Sequence, residues 1–173
     1  MNKALFLDRD GVINTRLVGQ YVRTPDEFEL IPDIVHILKL AKERGYQLVL
    51  ITNQQGIGKG LMSTHDLTVV HDHMQQSLQS AGAPLIDAMY WCSDLDGSGS
   101  THRKPAPGML LDAMRDHNIE ASASWFMGDS RSDAQAGYAA GVKTLLVGEF
   151  SAEDADIIVP THSDAFRELE AVL

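Results

Sequence analysis

Short apolar runs alternate with stretches of helical period along this chain, and the alternation predicts an α/β fold with a mostly parallel sheet. The runs at 4–8, 47–52, 88–92, 125–128, 144–147 and 156–159 have the length and content of buried strands. Between the first two, Ile34, Ile37, Leu38 and Ala41 share one stripe of a helix predicted over 32–44, which Gly45 stops. Ser63-Thr64-His65-Asp66 has the pattern of a capping box and opens a helix reaching about residue 81, ahead of Gly82. A third helix starts at Pro107 and runs through Leu111 and Met114, a fourth runs from near Ser130 to Gly141, and Ser163 caps a last one. Segments 54–62 and 93–102, rich in glycine and polar residues, read as loops. His71 and His73, two apart on a helix, do not face each other and are placed on a solvated or partly buried face.

The gaps between runs limit the architecture. The stretch from Asn14 to Leu48 holds little beyond one helix, and the next gap one helix and one strand. Neither has room for an independent core, which needs upward of roughly 40 residues. Residues 1–173 are therefore expected to form a single three-layer, Rossmann-like domain, with no separate cap and an open cleft shaped by loops.

Composition narrows the function classes. The chain has no apolar run near the ~20 residues that span a bilayer, and its start lacks a basic region with a cleavage site, so a cytoplasmic location is expected. The single cysteine, Cys92, excludes an internal disulfide. A formal charge of −10 disfavours nucleic acid and anionic membranes as partners. A phosphorylated ligand would have to be attracted locally, by a few cations and a divalent metal.

The candidate chemistry lies at the ends of the apolar runs. Asp8 and Asp10 follow the first run, and Gly11 gives the chain the freedom to leave the strand so that both carboxylates turn toward one point. One can then attack while the other moves a proton. The same pattern also suits an ordinary solvated turn. Three further clusters decide between them: Thr52-Asn53 after the second run, Arg103-Lys104-Pro105 opening a segment, and Asp129 and Asp133 after Trp125-Phe126-Met127-Gly128. In an open parallel sheet these positions converge beyond the carboxyl ends of the strands.

With these four motifs the chain resembles the phosphatases of the haloacid dehalogenase superfamily. Over residues 3–148 it is similar in particular to the D,D-heptose 1,7-bisphosphate phosphatases, a pattern that histidinol-phosphate phosphatases largely share. The segments that carry the finer likeness are Phe6 to Asn14, Thr52 to Gly60 and Arg103 to Leu110. The resemblance implies that Asp8 is the nucleophile that becomes an aspartyl-phosphate. Asp10 would protonate the leaving oxygen and then deprotonate water, and a neighbouring Asp8 and phosphate are expected to favour its protonated form. Mg²⁺ is the expected cofactor, held by the Asp8 carboxylate, the Asp10 main-chain carbonyl and the Asp129 carboxylate. Asp133, one turn beyond, would orient Lys104 or hold water at the metal, or would simply be an acid favoured at a helix N-terminus. Lys104 would stabilise the transferring phosphoryl group. Thr52 would donate its hydroxyl, and Asn53 its side-chain amide or its backbone N–H, to the phosphoryl oxygens.

The resemblance further implies that Arg103 meets a second substrate phosphate. Lys59 would meet the same anion, although the family usually has Ala-Arg where this chain has Gly58-Lys59. Arg9 gets no firm role. Many relatives hold a structural zinc before the Arg-Lys-Pro motif through a Cys-x-His pair and a Cys-x-Cys pair. The matching positions here are Cys92, Asp94, Ser100 and His102, so structural zinc is not expected. The expectation is a monomeric Mg²⁺-dependent phosphatase of a small phosphorylated sugar, with D-glycero-D-manno-heptose 1,7-bisphosphate as substrate and its 7-phosphate removed. Histidinol phosphate and a general range of small esters are the alternatives within the class, and a catalytically silent phosphosugar-binding module is the alternative outside it.

Overall fold

The computed structural model describes residues 1–173. Six parallel strands, β1 (Lys3–Leu7), β2 (Tyr46–Asn53), β3 (Ala88–Cys92), β4 (Trp125–Gly128), β5 (Lys143–Val147) and β6 (Ile157–Val159), lie in the order β3-β2-β1-β4-β5-β6. Six helices connect or follow them: α1 (Ile34–Glu43), α2 (Gln55–Gly58), α3 (Thr64–Ser80), α4 (Gly108–His117), α5 (Arg131–Ala139) and α6 (His162–Val172). No helix is long and apolar enough to cross a membrane.

The period-2 rule makes the layers. Leu5, Leu7, Leu48 and Leu50 face one side, where α1, α3 and α6 deliver Ile37, Leu38, Val70, Met74 and Leu169 to the larger core. Ala4, Phe6, Val49 and Ile51 face the other side, against Met109, Leu110 and Ala113 of α4 and Ala136 of α5. Strands buried on both faces read as continuous apolar runs, which is why they stood out in the sequence. Each fully buried Leu or Ile contributes about 1.5–3 kcal/mol over an exposed one.

The strand order reverses at β1, whose neighbours are β2 and β4, so the crevice beyond β1 is where a ligand site forms. The segment after Asn14 leaves and returns to the same place, with the Thr15 amide donating to the Glu29 carbonyl (2.8 Å) and the Ile31 amide to the Ile13 carbonyl (2.9 Å). It holds one 3₁₀ turn, Pro25–Glu27, and no separate cap.

Three expectations are corrected. The segment after β2 is not all loop, since Gln55–Gly58 forms a helical turn despite two glycines. Packing overrides propensity there, because a Cβ at Gly58 would run into the Ser93 carbonyl. The last helix is capped by Thr161, whose Oγ1 accepts from the Asp164 amide at 3.1 Å, rather than by Ser163. His73 is partly buried as expected, but His71 is buried outright, because it lies one turn beyond Leu67 on the face of α3 that packs inward.

Candidate active site

The chain turns sharply as it leaves β1. The amides of Val12, Ile13 and Asn14 all approach the Arg9 carbonyl, at 3.2, 2.8 and 3.1 Å. Gly11 takes a φ of +87°, and a Cβ there would fall on the Asp129 carboxylate. Glycine is thus required twice, by conformation and by contact. The turn brings Asp8 and Asp10 to one small cavity of about 60 Å³, together with Arg16, Asn53, Lys104, Ser130, Ser132 and Asp133.

Lys104 organises the floor of this cavity. Its Nζ lies 2.9 Å from Asp8 Oδ1 and 2.6 Å from Asp133 Oδ1, and it donates to the Ile51 carbonyl at 2.9 Å. Burial pulls the ammonium pKa down, but Asp133 and Asp8 more than offset it, so Lys104 is held charged. Burial pushes Asp8 up to about 6, against the pull of Lys104 and with a further push from Asp133.

Asp133 is a brace. Its Oδ2 accepts from the Asp129 amide (3.1 Å), the Ser130 amide (3.1 Å) and the Ser130 hydroxyl (2.7 Å), fixing the first turn of α5, while Oδ1 faces Lys104. Asp133 thus sits as an acid at the helix start and in contact with Lys104, two of the three positions considered for it, the third being beside a water at the metal.

The carboxylates of Asp8, Asp129 and Asp133 present oxygens within 4.8 Å of one another, close enough for one cation. With Asp133 engaged elsewhere, Asp8 and Asp129 remain to hold it. Asp129 Oδ1 is buried without a hydrogen bond, and the Arg16 guanidinium stands 3.2 Å away. Burial, reinforced by the charge of Asp8, raises the Asp129 pKa to about 7. Asp8 and Asp129, two acids whose charged forms burial disfavours, fit a hard divalent ion with oxygen ligands.

Asp10 behaves otherwise. Its carboxylate accepts from Arg9 Nη2 (3.0 Å to each oxygen), Asn14 Nδ2 (3.0 Å) and Gln54 Nε2 (3.0 Å). Burial would raise its pKa, yet Arg9 and these donors win and lower it. The protonated form expected of Asp10 belongs to the state with phosphate bound.

Thr52 and Asn53 are also repositioned. Thr52 is buried, with Oγ1 accepting from Gln54 Nε2 at 2.9 Å, and does not line the cavity. The Asn53 side chain clamps the Lys104 backbone, Oδ1 accepting from the Lys104 amide (3.0 Å) and Nδ2 donating to its carbonyl (3.1 Å). Its side-chain amide is thereby taken, because the loop carrying Lys104 must be pinned to β2.

The small cavity opens into a cleft of about 560 Å³ whose walls include Asp10, Arg16, Tyr21, Lys59 and Arg103. Lys59 Nζ donates to the Tyr21 hydroxyl at 3.0 Å, joining the two loops across the cleft. Arg103 Nη1 donates to the Asp94 carbonyl at 3.3 Å. Three cations thus gather at one mouth in a chain of net charge −10. Arg16, Gln54 and Tyr21 were missed from sequence. Gln54 sat inside the Thr52-Asn53-Gln54 motif and could have been found there, whereas Arg16 lies in a loop with no pattern around it.

Comparison with known proteins agrees with this geometry. A family model described as HAD-hydrolase-like matches residues 101–168. The chain is 40% identical over 146 residues to the D-glycero-beta-D-manno-heptose-1,7-bisphosphate 7-phosphatase of Helicobacter pylori, covering 84% of this chain and 83% of that one. It is 45% identical over 132 residues to the D-glycero-alpha-D-manno-heptose-1,7-bisphosphate 7-phosphatase of Mycobacterium bovis, covering 76% and 69%. In structure it is similar to the D,D-heptose 1,7-bisphosphate phosphatase of B. bronchiseptica, solved with magnesium and phosphate, at a TM-score of 0.84 and 29% identity over 96% of this chain and 97% of that one. Likeness at this level over most of both chains, joined to a carboxylate pair and lysine at the strand ends, places the protein: it belongs to the haloacid dehalogenase-like phosphatases, in the family of the heptose-1,7-bisphosphate 7-phosphatases.

Proposed function

We propose that the chain is a Mg²⁺-dependent phosphatase that removes the 7-phosphate of D-glycero-D-manno-heptose 1,7-bisphosphate through an aspartyl-phosphate on Asp8. The observation that carries this reading is the shared cavity of Asp8, Asp10 and Lys104, opening into a cleft lined by Arg16, Lys59 and Arg103. The inner cavity suits the phosphoryl group that is transferred, and the outer cations suit an anion that stays. The relatives named for the heptose bisphosphate support the sugar between them.

In the first step an Asp8 carboxylate oxygen attacks phosphorus, the bond to the sugar oxygen breaks, and Asp10 gives that oxygen its proton. In the second, Asp10 takes a proton from water as the water attacks the aspartyl-phosphate. Inorganic phosphate leaves and Asp8 is restored. Lys104 holds positive charge against Asp8 throughout, with Asp133 fixing its position. Asp10 rests ionised, so the incoming phosphate dianion supplies the push that protonates it for the first step. Asp8 and Asp129, with the Asp10 carbonyl, would hold Mg²⁺, which neutralises the crowding of carboxylates and phosphate when bound.

The loop at 93–102 supports a zinc-free reading. Cys92 Sγ lies 3.8 Å from the Ser100 hydroxyl, and the His102 ring is engaged at both nitrogens, by Thr101 at 3.0 Å and Asp112 at 2.9 Å. Elemental analysis finding one zinc per chain, lost in Cys92→Ser, would overturn this. We further take residues 1–173 to form one domain and the protein to be a monomer.

The functional reading is tested by a panel of phosphate esters with Mg²⁺ or EDTA. The heptose bisphosphate should give the highest kcat/KM, above histidinol phosphate and simple monoesters, and EDTA should abolish release. A preference for histidinol phosphate would reassign the substrate.

A further inference from the structure

Arg9 is the largest fully buried side chain of the protein, and it is charged. A guanidinium taken wholly out of water destabilises a small domain unless it is well paired, so its surroundings indicate what it does. Its amide donates to Asp8 Oδ1 at 2.8 Å, and its Nη2 reaches both oxygens of Asp10 at 3.0 Å. Residues i and i+1 of a strand point to opposite faces. Arg9 and Asp10 meet only because the chain has already left β1 at this point.

The far side of the guanidinium is held by two other elements. His71 of α3 faces Nη1 through Nε2 at 3.4 Å, and Gln54, just after β2, stands 3.5 Å from Nη2 through Oε1 while donating to Asp10 through Nε2 at 3.0 Å. Every nitrogen of the guanidinium is a donor or has no free lone pair, so His71 Nε2 must be the acceptor, with its proton on Nδ1. Arg9 is thus fixed by α3 and by the end of β2, and it fixes Asp10 in turn.

We propose that Arg9, braced by His71, is a positioning residue that holds the Asp10 carboxylate at the leaving oxygen. It touches neither substrate nor metal. The proposal rests on the reading of Asp10 as the proton carrier, and the test separates the two.

The test compares an alkyl ester, the heptose bisphosphate, with p-nitrophenyl phosphate, whose leaving group departs without a proton. Transfer to Asp8 determines kcat/KM, so a misplaced Asp10 matters there only for the alkyl ester. Arg9→Gln should lower kcat/KM on the sugar by about a hundredfold, the lower end of what general acid–base catalysis contributes. On the aryl ester kcat/KM should stay within roughly threefold. There kcat should fall together with KM, because Asp10 still has to activate water in the second step. His71→Leu should show the same selectivity at about two- to tenfold, the worth of one hydrogen bond, and His71→Gln, whose amide oxygen can accept from Arg9, should restore it. Where Arg9→Gln does not fold, the His71 pair carries the same comparison.

Equal losses on both esters would show that Arg9 serves the fold alone and would overturn the proposal, as would unchanged sugar turnover in both variants. Asp10→Asn is measured alongside. If it lacks the leaving-group dependence, the reading of Asp10 fails. If it shows that dependence while Arg9→Gln and His71→Leu do not, only the positioning role fails.

Discussion

Arg16 closes on Asp129 across the mouth of the inner cavity, its Nη2 3.2 Å from Oδ1. The arginine side chain is half exposed while the carboxylate is largely buried. A single positive charge therefore stands where a divalent cation would have to approach. Arg16→Ala should tighten Mg²⁺ or Mn²⁺ binding, measured by calorimetry, by about two- to fivefold, the scale of a partly exposed ion pair. Weaker binding in the variant would mean that Arg16 helps shape the metal site rather than competing for it.

Gly11→Ala tests the turn that joins the motifs. The φ of +87° and the contact with the Asp129 carboxylate both oppose a side chain. The conformation alone should cost about 1–2 kcal/mol, or roughly 2–8 °C in Tm for a chain of this size. Metal binding should weaken as well, because the added methyl displaces Asp129. A variant with wild-type Tm and metal affinity would contradict the geometry.

The outer cations give a substrate-dependent prediction. Arg103→Ala should lower kcat/KM on the bisphosphate by about ten- to a hundredfold, the effect of losing one charge-assisted contact to phosphate. On a matching monophosphate it should change little. Lys104→Ala should damage both, since Lys104 faces Asp8 and Asp133 rather than the cleft. Equal losses on the two substrates for Arg103→Ala would remove the second-phosphate subsite.

His71 sets a pH dependence of stability. Burial, then the nearby Arg9 charge, lowers its pKa from 6.5 to about 4. Between these values the unfolded chain binds more protons than the folded one, so stability rises with pH across the window. It is lost as pH falls from the unfolded toward the folded value. Urea midpoints of His71→Gln with Mg²⁺ present should therefore fall less than those of wild type between about pH 7 and about pH 4.5. Parallel curves would place a protonated His71 in the folded state.

The relation of sequence to structure differs from residue to residue. Asp8, Lys104, Asp129 and Asp133 were legible because each sits at or near the end of an apolar run or in a cation-proline motif, and the parallel sheet brings such ends together. The strands at Ala88–Cys92 and Trp125–Gly128 were legible to the residue, the second because both-face burial leaves an unbroken apolar run and the first because its edge position still carries one, Ala-Met-Tyr-Trp-Cys. Arg9 was not, because its burial depends on His71, 62 positions away, and a charged residue beside a turn is ordinarily solvated. The lowered pKa of Asp10 follows from the Arg9 charge and from hydrogen bonds of Asn14, Arg9 and Gln54 that only the turn after β1 brings together. Thr52 and Asn53 were found at the site, but their side chains serve the scaffold. Only the path of the Lys104 loop across β2 decides that, and it is a tertiary fact.

The central claim, an aspartyl-phosphate on Asp8 formed from a heptose bisphosphate, is tested most directly by counting phosphate released from D-glycero-D-manno-heptose 1,7-bisphosphate with Mg²⁺ by the wild type and by folded Asp8→Asn. The wild type should release one phosphate per sugar, from position 7, and then stop. Asp8→Asn, which keeps the shape but lacks the nucleophilic charge, should release none measurably. Turnover by Asp8→Asn above a small fraction of wild type, or no release by the wild type, would contradict the account.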